Sequence, residues 1–265
     1  MREPGASLHS RPRAGYNPVR EDRMTAIVKS ARRVFDVLEM FDRERRPLTL
    51  KAVRGRLKLA PSSGAAILKS LVALGYLDYD RGTRSYLPTM RLALLGQWVP
   101  GALFGDDGKV LKLMRRLHKE TGQSVLLATQ SDLDAQYVHA VHGGEPLQAA
   151  VPPGTLRPLT ASGVGWLLLS RQSETAIEAL CRRIDIESGK RVDRAALKRN
   201  IAMVRRDGHV FSRHTVRRGV GIIAMLLPER ALGRTFAIGV AGNVTQLETD
   251  EAAILAALRN GVAGR

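Results

Sequence analysis

The residues from 48 to 87 constrain the fold of this chain more than any other stretch does. At its start, Leu50, Val53 and Leu57 recur at spacings of three and four, which gives a short helix one apolar face. A second helix is predicted to begin near Pro61, because proline is favoured at the first position of a helix. Two helices separated by so few residues indicate a helix-turn-helix unit.

The second helix has two unlike faces. Its apolar face holds Ile67, Leu68, Leu71, Val72 and Leu74. Its other face holds small side chains and one cation, namely Ser62, Ser63, Ala66, Lys69, Ser70 and Ala73. A merely solvated face would more often be filled with Glu, Lys and Arg, so this face indicates a helix that lies close against the floor of a DNA groove. Either Ser62 or Ser63 could also cap the free backbone amides of the helix.

A basic hairpin is predicted to follow this helix. Gly75 ends the helix, and apolar and aromatic residues flank a turn at Arg81-Gly82, whose tip also holds Arg84. Helix, turn, helix and basic hairpin is the order of a winged helix-turn-helix, whose second helix enters the major groove. We therefore predict DNA contacts from Ser62, Ser63, Ala66, Lys69, Arg81 and Arg84. The alternative is a small helical subdomain without a role in nucleic-acid binding.

Three short segments give the chain a resemblance to a known family. They are Ser30-Ala31-Arg32-Arg33-Val34, Ala60-Pro61-Ser62-Ser63, and Leu68 to Leu77, which reads LKSLVALGYL. They resemble the DNA-binding domain of IclR-type transcriptional regulators, and the resemblance extends through nearly all of the chain after about Met24. Where the family commonly has a bulky polar residue and an arginine in mid-helix, this sequence has Ala65 and Ala66. The operator preference of the family therefore cannot be transferred to this chain.

The charge of the chain is strongly positive and unevenly distributed. The formal net charge is +17, and residues 24–91 hold fourteen basic and six acidic residues. This concentration on the predicted DNA-binding part suits a surface that faces phosphates, whose affinity falls steeply with salt. The alternative is general basicity, which accounts for the surplus in the C-terminal part.

Cysteine usage and hydropathy predict a cytoplasmic protein. Cys181 is the only cysteine, so an intramolecular disulfide is impossible and a reducing compartment is indicated. We interpret it as inert packing in an apolar helix rather than as a redox sensor. No apolar run approaches the roughly 18 residues that a membrane span needs.

The chain divides into four predicted regions. Residues 1–23 form a disordered basic tail, 24–88 the winged helix-turn-helix domain, 89–108 a linker helix and joint, and 109–265 an effector-binding domain. Met24 is a candidate for an alternative translation start.

Two of the helices in the N-terminal half carry further expectations. Ser30 is expected to cap the first helix, whose apolar stripe is Ala31, Val34, Phe35, Leu38 and Phe41. The linker helix over 90–99 is apolar on too wide an arc for one small domain, so part of it should meet a second subunit. Pro100-Gly101 is expected to end that helix.

The C-terminal domain reads as an α+β layer. A helix that ends at Gly122 precedes strands over 124–130, 136–141 and 147–151, and a short apolar helix over 162–169 follows. Next come helices over 175–183 and 193–206, strands over 210–214, 220–227 and 235–241, and a last helix over 249–260. Hairpin-length gaps between strands predict a largely antiparallel sheet with helices packed against it. The family resemblance implies a GAF-like effector domain.

The usual signatures of catalysis and of cofactor binding are absent from the sequence. Gly219-Val220-Gly221 lacks the rest of a dinucleotide-binding motif, and no phosphate-binding loop occurs. His139 and His142 are three residues apart on a strand, which points them to opposite faces. The residues around Ser162 do not complete a nucleophile elbow. We therefore predict no enzyme activity, no cofactor and no metal.

The predicted effector site lies at the start of the short apolar helix. Arg157, Thr160, Ala161 and Ser162 offer a cation, hydroxyls and free backbone amides, which together suit an anion. The family resemblance also places its effector pocket here, near the strand that begins at Val220. Trp166, Val220 and Ile222 are the candidate apolar walls. The site predicts a small organic acid with a hydrophobic or aromatic body, and the alternative is ordinary helix capping.

Three functions compete at this point. The leading hypothesis is a homodimeric or homotetrameric transcriptional regulator that binds a palindromic operator in double-stranded DNA and responds to a small organic acid. The alternative is an architectural DNA-binding protein whose C-terminal domain only oligomerises. A third is an enzyme tethered to DNA, for which the sequence offers no catalytic motif.

Overall fold

The computed structural model describes residues 28–104, 108–142, 151–215, 217–231 and 233–263. They form two compact units, divided between residues 106 and 107. Each unit combines helices with an antiparallel sheet, so the predicted α+β class is confirmed.

The N-terminal unit has the predicted order of helices and hairpin. Its elements are α1 (Lys29–Glu44), β1 (Leu48–Thr49), α2 (Leu50–Leu57), α3 (Pro61–Ala73), β2 (Leu77–Asp80), β3 (Ser85–Pro88), α4 (Met90–Leu95) and α5 (Trp98–Phe104). The strands form an antiparallel sheet in the order β1-β3-β2. Helices α1 to α3 followed by the β2–β3 hairpin make up the predicted winged helix-turn-helix.

One apolar core holds the N-terminal unit together. Its buried members are Val37, Met40, Phe41, Leu48, Val53, Leu68, Leu71, Leu77 and Tyr86. Helices α2 and α3 approach closely at Gly64, where an added Cβ would lie 2.7 Å from Cγ of Arg54. The Thr49 hydroxyl caps α2 by accepting a hydrogen bond from the backbone N–H of Ala52, at 3.3 Å.

Three local predictions in this unit are wrong. Helix α1 begins at Lys29 after Val28, so Ser30 lies inside the first turn and does not cap it. Helix α3 begins after Ala60 without any side-chain cap, because Pro61 takes the first helical position and needs no partner for an N–H. Phe35 is 63% exposed, since α1 turns the side that holds Val37 and Met40 toward the core.

The linker is two helices where one was predicted. Helix α4 ends at Leu95, residues 96 and 97 form a turn, and α5 runs from Trp98 to Phe104. Pro100 lies within the first turn of α5, where a missing N–H costs nothing, and therefore does not end the helix as predicted.

The described residues of the C-terminal unit form a six-stranded sheet with helices on both faces. Its first elements are α6 (Lys109–Thr121), β4 (Ser124–Ser131), β5 (Asp134–Val141), β6 (Leu156–Pro158), a 3₁₀ turn (Leu159–Ala161) and α7 (Gly163–Ser170). Then come α8 (Glu174–Ser188), α9 (Arg194–Asp207), β7 (His209–Arg213), β8 (Val220–Ala231), β9 (Arg234–Asn243), α10 (Val244–Thr249) and α11 (Glu251–Ala263). The strands are antiparallel in the order β6-β5-β4-β9-β8-β7.

Alternate strand residues serve the two faces of this sheet. Leu126, Ala128, Ala237 and Ala241 belong to the core that also holds α7, α8 and α9. The residues between them, such as Leu127 and Ile238, are buried on the opposite face. Helices α6, α10 and α11 cover that opposite face.

Helix α7 lies unusually close to its neighbours. A Cβ at Gly165 would overlap the backbone carbonyl of Leu159, and a Cβ at Gly163 would overlap the side chain of Ser212. These two glycines therefore let α7 sit directly on the 3₁₀ turn and on β7.

Two elements of the C-terminal unit were not predicted, and one predicted strand lies mostly outside the described residues. The last predicted helix, over 249–260, corresponds to α11, whereas the short helix α10 before it was missed. The predicted strand over 147–151 falls mostly on 143–150, which lie outside the described residues, and residue 151 itself is not in a strand. Strand β6 was not predicted, since three residues that end in proline show no alternation.

None of the helices in the described ranges combines the length and the apolar composition that crossing a membrane requires.

Replacing Gly165 by alanine should lower the free energy of unfolding by about 1–3 kcal/mol, because the new methyl group overlaps the rigid Leu159 carbonyl. Gly55→Ala is the control: Gly55 lies in α2, and a methyl group there would meet nothing within 4 Å, so alanine should add about 0.5–1 kcal/mol. Urea unfolding followed by circular dichroism measures both, and equal effects would contradict the packing described for α7.

Candidate nucleic-acid interface and effector site

Helix α3 presents the predicted small-residue face to solvent. Ser62, Ala66 and Lys69 are exposed and Ser63 is half-buried. On the opposite side, Gly64, Leu68 and Leu71 are buried against the rest of the unit. The exposed face therefore carries small side chains and a single cation, which leaves the helix backbone accessible to a large partner.

The wing is the β2–β3 hairpin with its four-residue tip, residues 81–84. The Asp80 carboxylate organises this tip: Oδ1 accepts hydrogen bonds from the N–H groups of Gly82 (2.7 Å) and Thr83 (3.3 Å), and Oδ2 accepts one from the Thr83 hydroxyl (2.8 Å). These hydrogen bonds, that of the Thr83 hydroxyl first, lower the pKa of Asp80. The tip closes with Arg84 at a positive φ of 52°.

The two wing arginines are exposed cations without a carboxylate partner among the described residues. Arg81 and Arg84 are exposed, and neither makes an ion pair in the part of the chain that the structure describes. Arg46 and Arg56, by contrast, both pair with Glu44. The wing and the α3 face therefore carry positive charge that is available to an external anion, as do other exposed cations of this unit such as Arg33 and Lys51.

One exposed cation beside α3 was not predicted from the sequence. Lys58 lies in the turn between α2 and α3, at a positive φ of 51°, and makes no ion pair with a described residue. The position of Lys58 could have been used to predict its role, because the turn between the two helices of a helix-turn-helix lies next to the start of the second helix.

The turn that follows α3, at Gly75 and Tyr76, is joined to the start of α4 by three contacts. The Thr89 hydroxyl donates to the Gly75 carbonyl at 2.6 Å, and the Thr89 N–H donates to the Tyr76 carbonyl at 3.0 Å. The Arg91 guanidinium lies over the Tyr76 ring, 5.1 Å from its centre. A movement of α4 would therefore be transmitted to the end of α3.

In the C-terminal unit, Thr160, Ala161 and Ser162 lead into α7, and we call these three residues the α7 mouth. Ser162 is 2% exposed. Its hydroxyl accepts a hydrogen bond from the Gly165 N–H at 3.2 Å and donates one to the Pro158 carbonyl at 2.7 Å. This is the ordinary helix capping that the sequence left open as an alternative, and it uses the Ser162 hydroxyl within the protein.

The predicted apolar walls lie on the α7 side of the sheet. Trp166 and Ile222 both pack against the core that holds α7, and Val220 is half-buried two residues before Ile222 on the same strand. The indole N–H of Trp166 donates to the Thr160 carbonyl at 3.0 Å, which fixes the ring beside the α7 mouth. Ile222 is paired with Ala241 of the neighbouring strand, and the small alanine side chain leaves space above the sheet at this point.

Arg157 lies on the edge strand β6, where it is paired with Ala135. Its guanidinium donates to the Leu156 carbonyl at 3.1 Å. Burial raises the pKa of Tyr137 to about 12, and the charge of Arg157 partly opposes that rise. Arg157 therefore shares its surroundings with a buried phenol, which was not singled out from the sequence because strand alternation is its only signal.

Two cavities in this unit are lined by other residues. One, of about 530 Å³, lies at the C-terminal end of α7 and is lined by polar groups that include Thr129, Arg171 and Arg234. The other, of about 720 Å³, lies between α8 and α9. None of the residues predicted to bind the effector lines either cavity.

The described residues contain no group of three or more His, Cys, Asp or Glu side chains arranged to hold a metal ion. Burial and the charge of Arg115 lower the pKa of His139.

Known proteins resemble the chain over both units. Residues 109–263 match the family model of the bacterial transcriptional regulator IclR C-terminal domain, and residues 30–81 match that of the IclR helix-turn-helix domain. The acetate operon repressor of Salmonella typhimurium is 25% identical over 223 residues, which are 76% of this chain and 81% of that protein.

Solved structures show the same fold. The effector domain of an IclR-type regulator from Acinetobacter sp. ADP1 is 30% identical, with a TM-score of 0.55 over 62% of this chain and 96% of that one. The Thermotoga maritima IclR structure is 14% identical, with a TM-score of 0.68 over 88% of this chain and 96% of that one.

Replacing Arg81 and Arg84 together by alanine should weaken binding to every duplex DNA sequence, because both cations face solvent without a carboxylate partner. Each lost phosphate contact should reduce the slope of log affinity against log salt by about 0.9. The control removes two exposed arginines of α9, Arg199→Ala with Arg206→Ala, which changes the net charge equally. Fluorescence anisotropy at several salt concentrations measures the slope, and an unchanged slope in the wing variant would remove the wing from the interface.

Proposed function

The chain belongs to the IclR family of bacterial transcriptional regulators, and on that basis we propose that it binds a palindromic operator and alters this binding when a small organic acid occupies its C-terminal unit. The family is one of regulators rather than of enzymes. We propose a cytoplasmic location for the protein, because bacterial operator DNA lies in the cytoplasm.

The observation that carries the DNA-binding part of the proposal is the exposed face of α3. Ser62, Ala66 and Lys69 stand clear of the unit, and the small side chains allow the helix to approach the bases. Arg81 and Arg84 on the wing would hold the phosphate backbone or the minor groove beside it. Ala65 is half-buried and Ala66 is exposed but apolar, so direct contacts to base edges would be few and would come mainly from Ser62, Ser63 and Lys69.

The effector part rests on the α7 mouth. A carboxylate there would be held by Arg157, by the Thr160 hydroxyl and by free backbone amides at the start of α7, and its apolar body would lie against Trp166, Val220 and Ile222. Because the Ser162 hydroxyl is already used in capping, Arg157 would carry most of the charge recognition. One relative is named for an operon of acetate, itself a carboxylate, which supports this class of ligand.

The response to the ligand would be a coupling free energy between the two sites. Typical values are about 1–3 kcal/mol, which change operator affinity about 5- to 150-fold. The contacts of Thr89 and Arg91 with the turn that follows α3 supply a route by which a shift of α4 would reorient the DNA-binding helix. In a dimer, such a shift would change the spacing of two α3 helices on paired half-sites.

We propose that the linker helices form a two-fold interface. Met90, Leu94, Leu95 and Trp98 are between 57% and 72% exposed in the single chain. Clustered apolar side chains of this size are typical of protein–protein contacts. A homodimer, or a homotetramer built from two such dimers, would cover them.

The alternative, an architectural protein whose C-terminal unit only oligomerises, predicts no coupling between a small molecule and DNA affinity. The partly buried Trp166 and Ile222 on the α7 side of the sheet, together with the backbone amides at the start of α7, favour a ligand-binding role over it.

Arg157→Ala should abolish the ligand response while leaving operator affinity unchanged, because Arg157 lies in the other unit from α3. The measurement is thermal unfolding against a panel of aliphatic and aromatic carboxylates, followed by operator binding with the acid that stabilises the wild type most. A ligand at 100 times its Kd adds about 2.7 kcal/mol to the free energy of unfolding. Arg171→Ala, which removes an exposed arginine from the other end of α7, is the control and should respond as wild type does.

If no acid stabilises the wild type, or if Arg157→Ala and wild type respond alike, then the α7 mouth does not bind the effector.

Trp98→Glu combined with Leu94→Glu should dissociate the oligomer, because it places charges in the proposed apolar interface. Light scattering at micromolar concentration should give a dimer or tetramer for wild type and a smaller species for the variant. Ile186→Glu, at an 82% exposed position on α8, is the control for adding charge to an exposed apolar site. A monomeric wild type would contradict the proposed interface.

A further inference from the structure

The cavity of about 720 Å³ between α8 and α9 has no role in the function proposed above. Its apolar lining comes from Ile177, Cys181, Leu197 and Ile201. Cys181, Leu197 and Ile201 are themselves buried members of the core, and Ile177 packs against it. The groove is thus built over the same core that supports α7, and its lining is fixed rather than adaptable.

One end of this α8–α9 groove is closed by an ion-pair network. Nε of Arg194 lies 3.1 and 3.0 Å from the two carboxylate oxygens of Glu178, and Nη2 donates to Oδ2 of Asp185 at 2.8 Å. These interactions join the start of α9 to α8, and the single positive charge of Arg194 is shared between Glu178 and Asp185. The acid that remains without an ion pair among the described lining residues is Glu174.

The remaining cations of the rim outnumber that acid. Arg182 and Lys198 are exposed and make no ion pair with a described residue. Arg205 donates to the backbone carbonyls of Ser170 (3.0 Å) and Gln172 (2.8 Å), which are neutral acceptors and leave its charge uncompensated. The rim is therefore net positive above an apolar lining.

This combination fits a particular class of ligand. A volume of about 720 Å³ lies within the range of roughly 300–1,000 Å³ typical of organic-ligand sites. The apolar lining suits an aliphatic or aromatic body, and the cationic rim suits an acidic group that remains in contact with solvent. We propose that the α8–α9 groove is a second ligand site, which binds an organic anion with an apolar body, such as a medium-chain carboxylate.

The thiol in the groove acts as apolar lining rather than as a nucleophile. Burial raises the pKa of Cys181, although the charge of Arg194 opposes part of that rise, and the thiol is 1% exposed. Recognition in the groove is therefore non-covalent.

The first test is calorimetric titration of the full-length protein with octanoate. Ala202 is exposed and lines the groove, so Ala202→Phe should fill part of it and weaken octanoate binding at least tenfold. Lys198→Glu should weaken it several-fold by reversing a rim charge. Shortening the probe to hexanoate should weaken binding about two- to fourfold for each methylene removed, because less apolar surface is buried.

Two controls separate this site from the α7 mouth and from general damage to α9. Met203→Phe changes an exposed α9 residue that does not line the groove, and it should bind octanoate as wild type does. Arg157→Ala should also leave this binding event unchanged. If Arg157→Ala alone removes it, the acid binds at the α7 mouth, which overturns the groove site while supporting the effector site.

A second readout tests where the ligand is bound. Octanoate should raise the midpoint of thermal unfolding of wild type and of Arg157→Ala but not that of Ala202→Phe, because the groove is partly filled in the last variant. Absence of octanoate binding at millimolar concentration, or equal affinity in wild type and Ala202→Phe, would overturn the proposal.

Discussion

The close contact of α3 with α2 at Gly64 decides which side of the DNA-binding helix faces outward. With no side chain at Gly64, the Arg54 methylenes lie directly on α3, and Leu68 and Leu71 follow Gly64 into the core. Helical periodicity then leaves Ser62, Ala66 and Lys69 on the outside. A Cβ at position 64 would overlap Cγ of Arg54, so either the Arg54 side chain or α3 would have to move, and every contact assigned to the exposed face depends on the present orientation of α3.

The C-terminal unit uses the same device for a different purpose. Gly163 and Gly165 let α7 pack on Ser212 and on the Leu159 carbonyl, and this brings the start of α7 beside β7, whose Ser212 is paired with Ile222 of β8. Two helices further along the chain, α9 packs on α7 through the same core. The α7 mouth and the α8–α9 groove therefore rest on one set of buried side chains. A ligand bound at either place would alter the packing of α7.

Periodicity in the sequence predicted most helices and strands, because one-sided burial leaves a regular apolar pattern. It failed where burial is not one-sided, and where the local backbone conformation rather than the apolar pattern determines where a helix ends. Phe35 fits the apolar stripe of α1 but is exposed, and the break in the linker occurs without a proline between α4 and α5. The N-cap of α7 could be predicted because a serine precedes an apolar run. The position of Tyr137 near Arg157 and the cationic rim of the α8–α9 groove could not, because both depend on contacts between segments that are distant in the sequence.

A genome-wide footprint of the protein in its host is the decisive measurement for sequence-specific regulation through α3 and the wing. We expect a limited number of discrete sites, each with two inverted half-sites spaced by about one or more helical turns. Coverage spread along the chromosome without a shared inverted repeat would contradict this mode of regulation, because phosphate contacts alone would then account for binding.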